Sequence, residues 1–79
     1  MGHARPRPQR LAQKLLQIRY TLGLSQSQIA KRIGVTNYTD ISKYERASNE
    51  PSLMTLLNYS RLAEVRVEDL IDDNVNLEF

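Results

Sequence analysis

The side chains in this 79-residue chain that could do chemistry are hydrogen-bond donors and acceptors rather than nucleophiles or metal ligands. There is no Cys, which removes disulfides, a thiol nucleophile and any Cys-based metal site. The single His, His3, lies in a polar tail, where it reads as a solvated side chain. Gly2, Gly23 and Gly34 are too scattered to make a phosphate-cradling loop. An enzyme, a metal site or a bound cofactor is therefore not expected. What remains is hydroxyls, carboxamides and cations, the groups that bond phosphate oxygens and base edges. Charge points the same way. Residues 1–39 hold seven Lys/Arg and no acid, and residues 40–79 hold four Lys/Arg and all nine acids. The halves carry +7 and −5 within a net charge of +2, and the basic half implies a polyanionic partner.

The chain that positions these groups is one domain, since chains this short seldom hold two cores. No run approaches the ~20 apolar residues of a membrane span, and Met1–Pro8 lacks the apolar run of a signal peptide. A membrane partner is not expected and a cytoplasmic setting is. The spacing predicts five helices. A first helix from Pro8 carries Leu11, Leu15, Ile18 and Leu22 on one stripe, widened by Ala12 and Leu16, and ends at Gly23. Ser25 and Gln28 form a capping box, and Leu24 and Ile29 a hydrophobic staple. That second helix turns Ile29, Ala30 and Ile33 inward and stops at Gly34, with Ala30 small enough for a close helix crossing.

Two helices joined by a short Gly-containing turn are the helix-turn-helix pattern. Asn37 caps the third helix, with Thr36 as the alternative, and Asp40 then falls in its first turn. Ile41 and Tyr44 face the core. Ser52 caps a fourth helix whose Leu53, Leu56, Leu57, Tyr59, Leu62 and Ala63 supply more core. A fifth runs from about Val67 to Asp72 with Leu70 and Ile71 as its apolar pair. The closing Asn74–Phe79 alternates like a short strand. The expected division is a basic arm over 1–8, an all-α domain over 9–73 and a tail over 74–79.

The ordered set Leu22-Gly23-Leu24-Ser25-Gln26, Ile29-Ala30, Gly34-Val35-Thr36, Ile41-Ser42-Lys43-Tyr44-Glu45-Arg46 and Pro51-Ser52-Leu53 with Leu56-Leu57 resembles the Cro- and lambda-repressor-like (XRE) helix-turn-helix regulators. The resemblance covers about residues 10–72. It implies a compact five-helix DNA-binding domain, with helices 2 and 3 as the helix-turn-helix, dimeric on a near-palindromic operator. Three departures stand out. One extra residue separates Gly34 from Ile41. Ala47 and Glu64 occupy places where the family commonly has glycine, which predicts non-glycine residues in strained caps.

A recognition helix reads bases from near its N-terminus. Asn37, Tyr38, Thr39 and Lys43 are the expected base-reading residues: Lys43 can donate to guanine, Asn37 can pair with adenine, and the Thr39 methyl can touch thymine. Asp40 either helps cap its helix or accepts from cytosine N4. Ser25 and Gln26, at the N-terminus of the second helix, are expected on a phosphate; the family resemblance also implies a gripping role for Gln26. Ser42, Arg46, Ser48 and Asn49 are the further expected phosphate ligands. From the resemblance, Arg19 and Glu45 form a structural ion pair. Arg5 and Arg7 read either as a solvated tail or as an arm into the minor groove. Lys14 is expected to do no more than steer the encounter, and Asp72-Asp73 to form a solvated face turned from DNA. The implied function is a sequence-specific duplex-DNA regulator, a repressor acting as a homodimer, of bacterial or phage origin. Two rivals are an antitoxin that also binds a toxin, and a non-DNA adaptor docking a protein through the fourth and fifth helices with Val75, Leu77 and Phe79.

Overall fold

The structure is a computed structural model that describes residues 8–79. Five helices follow one another: α1 Leu11–Leu22, α2 Gln26–Ile33, α3 Tyr38–Glu45, α4 Leu53–Ala63 and α5 Val67–Ile71. No strand forms among the described residues. The closing segment, which alternates like a strand in sequence, instead delivers Leu77 to the core at 7% exposure. Burial of the periodic apolar positions drives the assembly. Leu11, Leu15 and Ile18 of α1, Ile29, Ala30 and Ile33 of α2, Ile41 of α3, Leu56 and Tyr59 of α4 and Leu70 of α5 make one cluster. Full burial of each large aliphatic contributes roughly 1.5–3 kcal/mol before the cost of ordering the chain. α2 packs on α3 and α4, while α1 lies against α3, α4 and α5.

Local chemistry sets the helix ends. Ser25 Oγ accepts from the Gln28 N–H at 3.1 Å and Gln28 Oε1 accepts from the Ser25 N–H at 2.8 Å, a closed capping box. Ser52 Oγ accepts from the Thr55 N–H at 3.2 Å. At the other ends, α1, α2, α3 and α4 close in the same reversed turn. In each, the residue after a left-handed one donates back into the last helical turn: Leu24 N–H to Arg19 O, Val35 N–H to Ala30 O, Ser48 N–H to Lys43 O and Val65 N–H to Ser60 O. The left-handed residues are Gly23 at φ 69°, Ala47 at 60° and Glu64 at 57°, and Gly34 at 77° ends α2. Ala47 and Glu64 therefore do sit in strained caps. The apolar residues after three of these turns, Leu24, Val35 and Val65, fold onto the core and hold the turns in place.

Four expectations need correction. α1 begins at Leu11 rather than Pro8, with Arg10 as a cap whose side chain makes no capping bond. The missing cap comes from the far end of the chain: Asp73 accepts from the Gln9 N–H at 2.8 Å and the Arg10 N–H at 3.0 Å. A carboxylate there meets the positive end of the α1 dipole, so Asp73 is a cap and not merely a solvated face. Lys14 does not simply steer. It is 1% exposed, and its Nζ donates to the carbonyls of Asp69 and Asp72 at 2.6 and 2.7 Å, at the end of α5. Leu53 is 75% exposed instead of buried, because as the first residue of α4 it precedes the inward stripe of Leu56, Tyr59 and Ser60.

Candidate nucleic-acid interface

The site is built where three helix ends meet. Glu45 closes α3, Arg19 lies late in α1, and Gln26 opens α2. Arg19 Nε donates to Glu45 Oε2 at 2.7 Å and Nη2 to Oε1 at 3.0 Å, a two-pronged pair. The third prong, Nη1, donates to the Leu24 carbonyl in the turn before α2 at 3.2 Å. Gln26 Nε2 adds a donation to Glu45 Oε1 at 3.2 Å. Side-chain exposure of the pair is 13% for Arg19 and 5% for Glu45, so water screens it little. The hydrogen bond to Glu45 holds the Arg19 guanidinium above its already high range, with burial opposing it. The outer face of that guanidinium lies 5.0 Å from the centre of the Tyr20 ring, a cation–π contact that sequence reasoning missed.

This clamp fixes the angle between α2 and α3. α3 itself starts at Asn37, whose Oδ1 accepts from the Thr39 N–H at 3.2 Å. Asn37 thus spends one lone pair on its helix and keeps its Nδ2 outward as a donor. Tyr38 is 54% exposed, and Asn37, Thr39 and Lys43 are exposed beside it, while Ile41 is fully buried on the opposite side. Asp40 is half-buried in the first turn. Tyr44 is half-buried, and desolvation raises its phenol above the usual value.

The expected phosphate ligands divide into two groups. Ser25 and Gln26 stand at the start of α2, where free N–H groups and the helix dipole point outward. Ser25 Oγ is committed to the capping box, and Gln26 is half-buried with its amide on Glu45. At the end of α3, Arg46 folds along its own helix, its Nε donating to the Ser42 carbonyl at 3.3 Å. Ser48 and Asn49 are exposed, and both their N–H groups donate to the Lys43 carbonyl, so the loop is folded against α3. Ser42 is half-buried. Arg5 and Arg7 lie outside the described residues. Two positioning residues escaped sequence reasoning, Lys14 and Asp73. The available signal for Asp73 was that α1 has neither a capping side chain nor an acid in its first turn, so its free N–H groups needed a partner from elsewhere.

Among the described residues no three His, Asp or Glu side chains gather as metal ligands, and no helix is long and apolar enough to cross a membrane. The exposed surface of α3 and the N-terminus of α2 thus present amides, hydroxyls and a lysine on a rigid two-helix frame. That arrangement can donate to phosphates and base edges at the same time.

The fold is shared with solved regulators. The P22 c2 repressor, solved with a synthetic operator, superposes with a TM-score of 0.73 at 25% identity, covering 80% of this chain and 94% of that one. The N-terminal DNA-binding domain of SinR from Bacillus subtilis gives 0.72 at 31% identity, covering 80% and 91%. SinR in complex with DNA, described as the master regulator for biofilm formation, gives 0.71 at 32% identity over 78% and 98%. Antitoxin HigA1 of Mycobacterium tuberculosis is 35% identical over 63 residues, which is 80% of this chain. The chain spans 42% of the length of that relative. A helix-turn-helix family model matches residues 15–70, from within α1 into α5, and so takes in the whole Arg19–Glu45–Gln26 clamp and the exposed face of α3. This chain belongs to the helix-turn-helix family, among its Cro- and lambda-repressor-like (XRE) members.

Proposed function

We propose that this chain is a sequence-specific duplex-DNA-binding transcriptional regulator, a repressor that works as a homodimer on a near-palindromic operator in a bacterial or phage setting. The observation that carries the reading is the clamp of Arg19, Glu45 and Gln26, which holds α2 and α3 at a fixed angle and leaves the N-terminal face of α3 exposed. α3 enters the major groove. Lys43 reads guanine, Thr39 and Tyr38 lie on neighbouring bases, and the outward amide of Asn37 donates to an acceptor. The N-terminus of α2, with Gln26, rests on a backbone phosphate, and Ser42, Arg46, Ser48 and Asn49 reach the strand beyond. Half-sites then lie about one helical turn, roughly 10–10.5 bp, apart. Repression follows from occupying a promoter, and the protein needs no chemistry of its own.

Selection from random duplex DNA near physiological salt, followed by footprinting, tests this reading. A symmetric enriched site is expected, with affinity falling steeply as salt rises because several phosphates release counterions. Gln26→Ala is expected to weaken binding to all sequences about equally. Lys43→Ala is expected to flatten preference at one or two positions by roughly 1–3 kcal/mol. Enrichment of no sequence, or Lys43→Ala with unchanged preference, overturns the assignment of α3.

A second reading has one specific support, the likeness to HigA1, which is named an antitoxin. In that reading the same DNA surface serves an operator, and a toxin binds elsewhere on the chain. Co-purification of a stoichiometric, growth-inhibiting partner separates the two.

A further inference from the structure

We infer that Tyr20 is a further DNA contact of this chain, its hydroxyl donating to a backbone phosphate beside the N-terminus of α2. The inference rests on the duplex-DNA reading above and adds a residue of α1, outside the helix-turn-helix pair. Helical geometry sets Tyr20 on the side of α1 opposite the buried stripe of Leu11, Leu15 and Ile18, and it is 68% exposed. Leu22, Leu53, Met54, Ile71 and Phe79 are exposed too, but their side chains carry no hydrogen-bond donor. Tyr38, the other well-exposed phenol, already stands on the base-reading face of α3. Tyr20 is thus the large exposed donor that the proposed function leaves unused.

The ring is held in place before any partner arrives. Its centre lies 5.0 Å from the Arg19 Cζ, and Arg19 is itself pinned by both oxygens of Glu45 and by the Leu24 carbonyl. A side chain ordered in advance loses less freedom when it binds. Its neighbours are donors. A guanidinium has more N–H groups than those bonds use, so Nη1 and Nη2 each keep a second one. In α2 the Gln28 and Ile29 N–H groups are taken by Ser25, which leaves those of Gln26 and Ser27 without a partner inside the helix. Glu45 Oε1 accepts from Arg19 and Gln26 together, so the guanidinium, the ring beside it and the first turn of α2 are neighbours. Residues 1–39 hold no Asp or Glu, and the Glu45 carboxylate is sealed beneath the cation at 5% exposure. A phosphate strand crossing this end of the domain therefore meets donors and no open carboxylate. Tyrosine hydroxyls are among the groups that bond DNA phosphates, and such contacts position the protein without reading sequence.

Titration of two duplexes, one carrying the selected site and one of unrelated sequence, tests this with the full chain and the variants Tyr20→Phe and Tyr20→Ala. Tyr20→Phe keeps the ring beside Arg19 and removes only the hydroxyl. It is expected to melt with the wild type and to bind both duplexes about 10-fold more weakly. Preference among sequences stays as it was. The slope of log affinity against log salt also stays, because a neutral hydroxyl releases no counterion, whereas losing a cation lowers that slope by about 1. When single phosphates of the selected site are replaced by methylphosphonate, one position costs Tyr20→Phe less than it costs the wild type, and that phosphate is the partner. Tyr20→Phe with wild-type affinity for both duplexes overturns the proposal. It does so even where Tyr20→Ala binds weakly, since the ring then acts only through Arg19. A loss confined to the selected site, or a lower salt slope, overturns it as well. Each of those outcomes leaves the regulator reading standing, whereas a wild type that binds neither duplex removes both.

Discussion

Glu45 is the residue at which three helices meet, and its carboxylate is nearly sealed from water at 5% side-chain exposure. Both its oxygens accept from Arg19, and one also accepts from Gln26. Removing the cation leaves a buried charge with no counter-charge and only the Gln26 amide to bond it. Arg19→Met is therefore expected to destabilise the fold by about 3–5 kcal/mol in urea titration, and Arg19→Met with Glu45→Leu to recover most of that loss. Recovery fails to appear if the pair gives more than its own desolvation costs. Tyr59 behaves in the opposite sense. Its ring is fully buried, and its hydroxyl has no hydrogen-bond partner among the described residues. Burial also pushes its phenol far above the usual range, so it stays neutral. Tyr59→Phe is expected to be neutral or to stabilise by up to about 1 kcal/mol, because it deletes an unpaid desolvation penalty. A loss of more than 1 kcal/mol in the same titration would point to a partner for that hydroxyl. Of these residues, Arg19 and Glu45 were legible through family resemblance. The Gln26 link and the orphan hydroxyl were not, since both depend on packing between helices.

The left-handed backbone of this domain sits at its helix ends. α1 and α2 stop at Gly23 and Gly34, where a left-handed residue has no side chain to strain. α3 and α4 stop at Ala47 and Glu64 in the same conformation, which costs an L-residue roughly 1–2 kcal/mol. Ala47→Gly and Glu64→Gly are each expected to raise stability by about 1 kcal/mol in thermal unfolding. The converse Gly34→Ala should lower it by a similar amount through the backbone alone, because an added Cβ there meets nothing within 4 Å. Equal melting temperatures for Glu64→Gly and the wild type would mean that this turn is not strained. These ends were legible in sequence, since the capping box at Ser25 is a local signal and the family resemblance marks the missing glycines at Ala47 and Glu64. The start of α1 was not. Its cap is contributed by Asp73, 64 residues from Gln9, and no local pattern encodes it.

Across the whole molecule, the closing segment clasps the beginning of the domain. Arg10 Nη1 donates to the Asp73 carbonyl at 2.9 Å and Nη2 to Asn76 Oδ1, Lys14 reaches the end of α5, and Leu77 enters the core. The two N–H donations from Gln9 and Arg10 hold the Asp73 carboxyl below its usual value of 3.8. Its folded pKa is thus depressed, so its stabilising contribution is present above pH 3.8 and is lost as pH falls through the lower folded value. Asp73→Asn should melt at a lower temperature than the wild type at pH 7. The gap should narrow towards pH 2, and a gap that is constant with pH would remove Asp73 from this role. The sequence by itself determined the five-helix order, the inward stripes apart from the exposed Leu22, Leu53 and Ile71, the caps at Ser25, Asn37 and Ser52, and the family, because each follows from spacing over a few residues. Only the tertiary structure decided that Lys14 is buried, that Asp73 caps α1, that Leu53 is left outside and that Gln26 joins Glu45. Those outcomes depend on which side chains are brought together from far apart in the chain. That choice is made by the packing of complete helices and is not encoded in any one of them.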